Sequence, residues 1–303
     1  MTAHEPQITI AIPFHRGLSY LKEAIESVLA QKRSEWRLLV CDDGSLEPGA
    51  AELVSSYADR RVACHANPEQ LGMVENWNRC IDLAGTDLVT LLHADDRLEP
   101  DYADTMLEVA ARHPDAAAYF CDARIIDAAG EERFSLADAV KRHLVPRGPG
   151  DVALSGEPGV RALMRGNFIM CPTLCFRKSV LDGARFSGIW KQVQDLDFTT
   201  RLLMSRKILI GARRVAYAYR RHPESATSLQ TRSLLRFEEE FALFGQIANH
   251  AEELGWSKAS RVSRRRTIIR MNLLYSLLRD LARLPAADSL ARLRLLLRRD
   301  RSA

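Results

Sequence analysis

Two pairs of adjacent aspartates follow apolar runs that are typical of buried strands. Asp42 and Asp43 come after WRLLVC, and Asp95 and Asp96 come after LVTLLHA. A divalent cation such as Mg2+ or Mn2+ takes one or two protein carboxylates while substrate phosphates supply further ligands. The second pair therefore suits a metal–diphosphate site. An acidic turn that begins the next helix is the ordinary alternative, because acidic residues are common near helix N-termini.

The first pair and a later aspartate suggest other roles in such a site. A carboxylate at Asp42 or Asp43 could accept a hydrogen bond from the imide N–H of uracil or thymine, although Asp-Gly is also a frequent turn dipeptide. Asp195 opens a predicted helix over residues 195–205, where a carboxylate can act as a general base. Capping of that helix is the alternative role for Asp195.

The apolar periodicity predicts a scaffold that brings these carboxylates to one edge. Predicted strands over 8–12, 36–41, 62–65 and 88–92 alternate with predicted helices over 18–31, 52–57 and 71–84. Such alternation is typical of an α/β fold with a mostly parallel sheet and helices on both faces. Ligands bind outside the carboxyl ends of the strands in these sheets. Pro13, Asp42 and Asp95 should therefore lie on one rim.

Beyond residue 100 the pattern loosens. Helices are predicted over 101–113 and 158–165, and extended segments over 116–121, 168–176 and 208–219. From residue 228 onward the chain is predicted to be helical. Two apolar stripes have the spacing of a helix: Leu234, Phe237, Phe241, Phe244 and Ile247, and then Ile269, Leu273, Leu277 and Leu281. We therefore divide the chain into an N-terminal α/β domain that carries the candidate site, 1–228, and a C-terminal helical region, 229–303.

A long loop is predicted over residues 135–156, because this segment mixes proline, glycine and charge. Connections of this length in a compact domain are often functional lids. Its basic side chains could close over a bound diphosphate; they are Lys141, Arg142, His143 and Arg147.

Several motifs occur in a fixed order along the chain. They are Pro13, DDGS at 42–45, LG at 71–72 with Asn76 and Asn78, LLHADD at 91–96 with Pro100, QDLDF at 194–198 with Arg201, and YRRHP at 219–223 with Ser225 and Ser228. This order resembles family 2 glycosyltransferases, which have the GT-A fold. The resemblance covers residues 7–228.

The resemblance implies a role for each matching residue. Asp195 takes the position of the catalytic base. Nucleotide contacts are implied for Pro13, His15, Asp42, Asp43, Asn76, His93 and Asp95. Metal ligands are implied at Asp95, Asp96 and His222. A histidine on a surface loop is the alternative for His222, since histidine is often partly exposed.

The resemblance also implies the reaction. A sugar would pass with inversion from a nucleotide diphosphate donor, UDP or dTDP, to a hydroxyl of a saccharide or lipid-linked acceptor. The cofactor would be Mn2+ or Mg2+. Such a reaction belongs to the synthesis of cell-surface polysaccharide, glycolipid or glycoconjugate.

Two departures from the family pattern leave alternatives open. His93 stands where the family has the first aspartate of its DxD motif, and Gln194 replaces the glutamate beside the base. An inactive nucleotide-binding or scaffold protein of the same fold would explain both. A nucleotidyltransferase is a further alternative, but FHRG at 14–17 does not resemble its glycine-rich phosphate loop. The QxxRW motif of membrane-embedded processive synthases is absent, so a polysaccharide-extruding synthase is not expected.

The C-terminal region is strongly basic. From residue 258 to the end, the sequence holds 13 Lys+Arg against 3 Asp+Glu, although the whole chain has a net charge of only +4. Leu290, Leu293 and Leu297 share one helical face among arginines, which favours contact with an anionic membrane surface. Alternatively this face packs on the body or on a second copy of the chain, in a homodimer. Nucleic-acid binding is less expected because aromatic residues are scarce there.

The sequence also predicts a cellular location. Six scattered cysteines without a CxxC pair are typical of free thiols in a reducing compartment. The N-terminus lacks the pattern of a signal peptide, and no run of 18 apolar residues occurs. We therefore expect a cytoplasmic protein that is peripheral at the inner face of the membrane.

Overall fold

The predicted alternation of strand and helix is confirmed in the first third of the chain. A computed structural model describes residues 5–45, 49–135, 143–222, 234–280 and 286–297. The first strands are β1 (Ile8–Phe14), β2 (Trp36–Asp42), β3 (Val62–Ala66) and β4 (Leu88–Leu91). They pair in parallel in the order β3-β2-β1-β4. Their carboxyl ends therefore share one edge of the sheet, which we call the rim.

Helices cover both faces of this parallel part. The connections are α1 (Leu18–Leu29), α2 (Ala50–Ser56) and α3 (Met73–Leu83). Side chains alternate between faces along a strand, so Ile8, Ile10 and Ile12 enter one hydrophobic cluster with α1 while Ala11 enters another with α3. Both clusters are buried, which explains why β1 is apolar at nearly every position.

The sheet continues with five further strands. They are β5 (Arg97–Leu98), β6 (Ala118–Ile126), β7 (Val152–Ser155), β8 (Cys175–Arg177) and β9 (Ile208–Arg220). β8 lies antiparallel between β4 and β6, and β6 pairs in parallel with the long strand β9. β5 and β7 pair antiparallel with opposite ends of β9. The carboxyl ends of β6 and β9 therefore also point toward the rim, and the predicted α/β class is confirmed.

Two predicted segments differ from the structure. The predicted loop over 135–156 ends in β7, a four-residue edge strand too short for its alternation to stand out. The segment 168–176, predicted to be extended, contains a 3-10 turn at Cys171–Thr173 before β8 begins. Lys141 and Arg142 lie outside the described residues. His143 and Arg147 have exposed side chains. Arg213 of β9 holds this stretch by donating hydrogen bonds to the carbonyls of Pro146 and Gly150.

The remaining helices include one, Lys178–Leu181, that the sequence did not predict. The helices before residue 228 are α4 (Tyr102–Arg112), α5 (Gly156–Arg165), α6 (Lys178–Leu181) and α7 (Gln194–Met204). The C-terminal helices are α8 (Leu235–Glu253), α9 (Ser257–Arg265), α10 (Thr267–Asp280) and α11 (Ala286–Leu297).

The C-terminal helices share a core with the sheet. Phe237, Phe241 and Phe244 of α8 belong to the same buried cluster as Phe176 of β8 and Phe198 of α7. The aromatic stripe predicted on this helix is therefore an internal face. The domain division at residue 228 stays a prediction.

The structure describes the two features from which a cytoplasmic location was predicted, the cysteines and the apolar segments. All six cysteines are free, and four of them are buried. Within the described ranges, none of the helices combines the length and the apolar character that crossing a membrane requires.

The close contact between β6 and β9 generates a stability prediction. Gly211 of β9 lies against the ring of Phe120, and an added Cβ would stand 2.4 Å from two ring carbons. We expect Gly211→Ala to lower the free energy of unfolding by about 1–3 kcal/mol, because overpacking forces side chains and backbone to shift. Urea denaturation measures this change. Gly188→Ala is the matched control, since its Cβ would meet nothing closer than 3.7 Å. Equal stability of the two variants would contradict the packing described.

Candidate active site

Asp96 ties the loop after β4 to strand β9. Its Oδ1 accepts a hydrogen bond from the backbone N–H of Arg220 at 2.7 Å, and its Oδ2 accepts one from the Tyr217 hydroxyl at 2.9 Å. Burial and the charge of Asp95 raise the pKa of this carboxyl well above its usual range, against the effect of the two donors. Asp96 therefore fixes the position of the residue before it. Its predicted role as a metal ligand stays a prediction.

The buried guanidinium of Arg220 also binds the loop after β4. Its side chain has no exposed surface and lies over the ring of Tyr20. Its Nε donates to the backbone carbonyl of Asp95 at 2.7 Å. Its other acceptors are the carbonyls of Asp127 and Ala128 and the carboxylate of Glu23. A buried cation is tolerated when it is paired and fully hydrogen-bonded, and Arg220 meets this condition by joining α1, the β4 loop and the end of β6.

His93, Asp95 and Asp96 form a cluster that fits a divalent metal. Within the part of the chain that the structure describes, these are the residues whose metal-ligating atoms all lie within 4.8 Å of one another. Carboxylates are protein ligands of both Mg2+ and Mn2+. Burial lowers the pKa of His93, against the charges of Asp95 and Asp195. A lowered pKa favours the neutral imidazole, which has the lone pair that a metal requires.

His222 reaches the same cluster. Its Nε2 lies 3.0 Å from Oδ2 of Asp95, and its ring packs on Tyr20 with 5.1 Å between the ring centroids. Its side chain is 9% exposed, so the alternative of a surface histidine is wrong. Asp95 keeps 31% of its side chain exposed and is therefore accessible to a ligand. Metal binding by His222 stays a prediction, and Pro223, Ser225 and Ser228 lie outside the described residues.

A cavity of about 140 Å³ opens at the carboxyl ends of β1 and β2. The residues that line it are Pro13, Phe14, His15, Asp43, Gln70, Gly72, Met73, Asn76 and Trp77. Trp77 also stacks on His93, with 5.6 Å between the ring centroids, so the cavity adjoins the metal-fitting cluster. The structure thus brings Pro13, His15, Asp43 and Asn76 together, as the sequence predicts.

Asp43 and Asn76 form the wall of this cavity through buried hydrogen bonds. The Asp43 carboxylate accepts from the backbone N–H groups of Leu71 and Gly72 at 2.7 and 2.8 Å, and from Nδ2 of Asn67 at 3.0 Å. The Asn76 amide donates to the carbonyl of Cys41 and accepts from Asn67. These contacts hold the loop before α3 against the end of β2. A direct contact of either residue with a nucleotide stays a prediction.

Asp42 is the last residue of β2. Its Oδ1 accepts from the backbone N–H of Ser45 at 2.8 Å, and its Oδ2 accepts from the Ser45 hydroxyl at 3.1 Å. These hydrogen bonds hold the bend at Gly44 that follows the strand. Asp42 is absent from the lining of the 140 Å³ cavity, and its predicted nucleotide contact stays a prediction.

Asp195 stands on the first turn of α7, close enough to His93 for its charge to act on the pKa of the imidazole. Its Oδ2 accepts a hydrogen bond from Nδ2 of Asn167 at 3.1 Å. The neighbouring Gln194 is 4% exposed, and its Nε2 has no acceptor among the residues that the structure describes. The predicted base is thus held in place by an amide from the loop after α5.

The turn that leads into α7 is held by the C-terminal helices. The buried carboxylate of Glu239, on α8, accepts hydrogen bonds from the backbone N–H groups of Lys191 and Gln192. The N–H of Gln192 is the closer donor, at 2.7 Å. The position of the α7 N-terminus, and with it Asp195, therefore depends on a contact from beyond residue 228.

Sequence reasoning missed four residues that shape this site. Arg220 lies inside the YRRHP motif, whose basic run gives no sign that one guanidinium is buried. Trp77 stands with Val74 and Ile81 at the spacing of a buried helix face, a pattern that indicates only a core position. Asn167 and Glu239 carry no sequence signal, because their partners lie 28 and about 48 residues away.

The sheet order, the carboxylates at its rim and the adjoining cavity define the GT-A fold class. The chain belongs to glycosyl transferase family 2, since the model of that family matches residues 9–179, more than half of the chain. An uncharacterised protein of Mycobacterium tuberculosis is 28% identical over 208 residues, which are 66% of this chain and 63% of that protein. The chain therefore spans less than two thirds of the length of this relative.

Two solved structures share the fold. S. aureus TarS, residues 1–349 in complex with UDP-GlcNAc, aligns with a TM-score of 0.69 and 12% identity over 96% of this chain and 81% of that one. The mannosyltransferase PcManGT of Pyrobaculum calidifontis, in complex with GDP-Man and Mn2+, aligns with a TM-score of 0.61 and 14% identity over 96% and 79%. At these identities the likeness concerns the fold.

The contacts of Arg220 generate a prediction about binding. Lysine keeps the charge at this position but cannot reach the carbonyls of Asp95 and Ala128 and the Glu23 carboxylate together. We expect Arg220→Lys to weaken Mn2+-dependent nucleotide binding by about 10–100-fold, as loss of supporting contacts around metal ligands does. Calorimetric titration of UDP with and without Mn2+ measures the effect.

Arg177→Lys is the matched control. Arg177 is partly buried and hydrogen-bonded to Tyr119, Asp87 and the carbonyl of Ala110, but it pairs with the start of β4, far from the rim. Its substitution should lower stability without changing nucleotide affinity. Unchanged Mn2+-dependent binding in a folded Arg220→Lys protein would contradict the positioning role of Arg220.

Proposed function

We propose that this protein is a glycosyltransferase that moves a sugar from UDP or dTDP onto a hydroxyl of a saccharide or lipid-linked acceptor. The observation that carries the proposal is the meeting of three features at one rim: the cluster of His93, Asp95 and Asp96, the cavity beside Trp77, and Asp195. Membership of glycosyl transferase family 2 supports it. So do the nucleotide sugars in the two solved structures of this fold.

The donor would bind with its base in the cavity and its diphosphate beside the metal-fitting cluster. Pro13, His15 and Asn76 line the cavity, and Trp77 separates it from His93. His93 and Asp95, with Asp96 and His222 beside them, would hold a divalent ion, which would supply positive charge to the leaving diphosphate. Mn2+ accompanies the donor in the Pyrobaculum mannosyltransferase, and Mg2+ has the same preference for carboxylates.

Asp195 acts as the general base in this proposal. The acceptor oxygen bonds to the anomeric carbon as Asp195 takes the hydroxyl proton. The bond between that carbon and the diphosphate oxygen breaks, and its electron pair leaves with the nucleoside diphosphate. A single displacement of this kind inverts the anomeric configuration. The Asn167 amide orients the Asp195 carboxylate, which matters because proton transfer depends on hydrogen-bond geometry.

The alternatives differ from this proposal at named residues. An inactive scaffold would keep the cavity without a positioned base, whereas Asp195 is both present and hydrogen-bonded by Asn167. A nucleotidyltransferase would need a phosphate loop after β1, where Phe14 and His15 stand instead. Gln194 removes one charge beside the base and leaves Asp195 unchanged.

The place of the reaction follows from the acceptor. A lipid-linked or growing saccharide acceptor would set the enzyme at the inner face of the membrane, in the synthesis of cell-surface polysaccharide or glycoconjugate. A homodimer stays a prediction.

The donor site generates the first functional prediction. We expect calorimetric titration of UDP, dTDP and GDP to show binding of one nucleotide that strengthens with Mn2+. Asp95→Ala should remove the Mn2+ dependence, because it deletes the exposed carboxylate of the cluster. Asp115→Ala, which removes an exposed carboxylate elsewhere, is the control and should bind as the wild type does. If none of the three nucleotides binds, the donor-site assignment is wrong.

The base generates a second prediction. Asp195→Asn preserves the size of the side chain and should lower the transfer rate by about 10²–10⁴-fold while nucleotide affinity stays unchanged. Asn167→Ala should lower kcat less, because the base remains and only the hydrogen bond that orients it is lost. Donor hydrolysis measured against pH, with Mn2+ present, tests both. Wild-type rates in Asp195→Asn would exclude Asp195 as the base.

A further inference from the structure

The last two helices form an antiparallel pair. The guanidinium of Arg270, on α10, donates to the carbonyl of Leu296 on α11, and the buried guanidinium of Arg292 donates to the Ser276 hydroxyl. The start of α10 therefore lies beside the end of α11. We call this pair the C-terminal hairpin.

The inner face of the hairpin packs on the body. Ile269 and Leu273 of α10 and Leu295 of α11 are buried in the same hydrophobic cluster as the core phenylalanines of α8. The stripe predicted at 269, 273 and 277 is therefore confirmed as an inward face, and residue 281 lies outside the described residues. Since both helices pack on one core, their opposite faces are turned away from it.

The outer face of α10 is apolar as well. Met271, Leu274, Tyr275 and Leu278 are between 48% and 66% exposed. Their spacing of three and four residues places them in one stripe along the helix. A helix that only packed on the body would carry polar residues along this side.

The outer face of α11 carries a second stripe. Leu290, Leu293 and Leu297 are between 43% and 66% exposed, at spacings of three and four. The antiparallel pairing brings Leu293 level with the middle of the α10 stripe. We call the two stripes together, seven large apolar side chains on adjacent helices, the hairpin face. Isolated exposed apolar residues are normal, but a contiguous set marks an interaction surface.

The charge around the hairpin face is positive. Between residues 267 and 303 the sequence holds eight arginines and no lysine, against three aspartates. Arg294 is exposed on α11 among the leucines of its stripe. Apolar stripes bordered by basic side chains are typical of helices that lie in the interface of an anionic bilayer. We propose that the hairpin face binds the surface of a membrane that contains anionic lipid.

A second copy of this chain fits the hairpin face less well. A symmetric dimer sets the same patch against itself, which would place the exposed Arg294 of both copies in one interface. Like charges across an interface oppose association. The negative headgroups of anionic lipids, in contrast, are complementary to the positive charge of this region.

The hairpin also packs against the loop that bonds Asp195 in the candidate site. Gly166 lies against Ile268, at the start of α10, and against Leu144. The next residue, Asn167, donates to Asp195. The hairpin is therefore connected by direct packing to the side of the site that holds the base. A membrane-bound acceptor would be presented on this side, although membrane binding itself does not depend on the transferase activity proposed above.

Vesicle sedimentation of the full chain tests the inference. We expect the protein to sediment with vesicles of equal parts phosphatidylcholine and phosphatidylglycerol, and to stay in solution with phosphatidylcholine alone. High salt should weaken the binding. The double variant Leu278→Gln/Leu293→Gln should lower the partition coefficient by roughly tenfold per leucine. Val215→Gln, which changes an exposed apolar residue on β9, should bind as the wild type does.

Two further measurements make each result decisive. Circular dichroism and urea denaturation of the double variant show whether the fold is intact, and sedimentation velocity reports the oligomeric state. Wild-type protein that remains in solution with anionic vesicles would overturn the proposal. So would equal vesicle binding by a folded double variant. A dimer that the double variant abolishes, without vesicle binding, would assign the hairpin face to a second copy instead.

Discussion

The buried guanidinium of Arg220 is the contact on which the geometry of the candidate site depends. A cation removed from water must find acceptors in the protein, and Arg220 finds them on α1, on the loop after β4 and at the end of β6. Its own backbone N–H holds Asp96. The position of Asp95 is therefore set by the register of β9 against β6, and a shift of one residue in that register would reverse which side chain is buried.

A second buried carboxylate organises the cavity side of the rim in the same manner. Asp43 accepts two backbone N–H groups from the loop before α3 and one amide from Asn67. Asp43 and Asp96 thus each fix a loop at the rim, while Asp42 and Asp95 remain partly exposed beside them. In each pair the buried carboxylate serves the fold; of the two that stay partly exposed, Asp95 is accessible to a ligand, whereas Asp42 holds the backbone and hydroxyl of Ser45. The C-terminal helices contribute a third anchor through Glu239.

The sequence predicted the parts of this arrangement that rest on local patterns. Strands β1 and β4 are buried on both faces and β2 is buried over much of its length, so their apolar runs stand out, and the polar turns after them mark the rim. The cavity residues Pro13, His15, Asp43 and Asn76 meet as predicted. The strand β5 has two residues and β7 has four, which is too short for periodicity to show. The roles of Arg220, Asn167 and Glu239 depend on contacts between distant segments. The hairpin was predicted in part: its buried stripe follows the helical period, but the exposed stripe on α10 needed the structure.

The measurement that tests the account most directly is a crystal structure of the chain with UDP and Mn2+, with anomalous diffraction used to locate the manganese. The account predicts an anomalous peak at Asp95, within coordination distance of its exposed carboxylate, with Arg220 still bonded to the carbonyl behind it. Nucleotide bound with manganese at another place, or an Asp95 loop released from Arg220, would contradict the account.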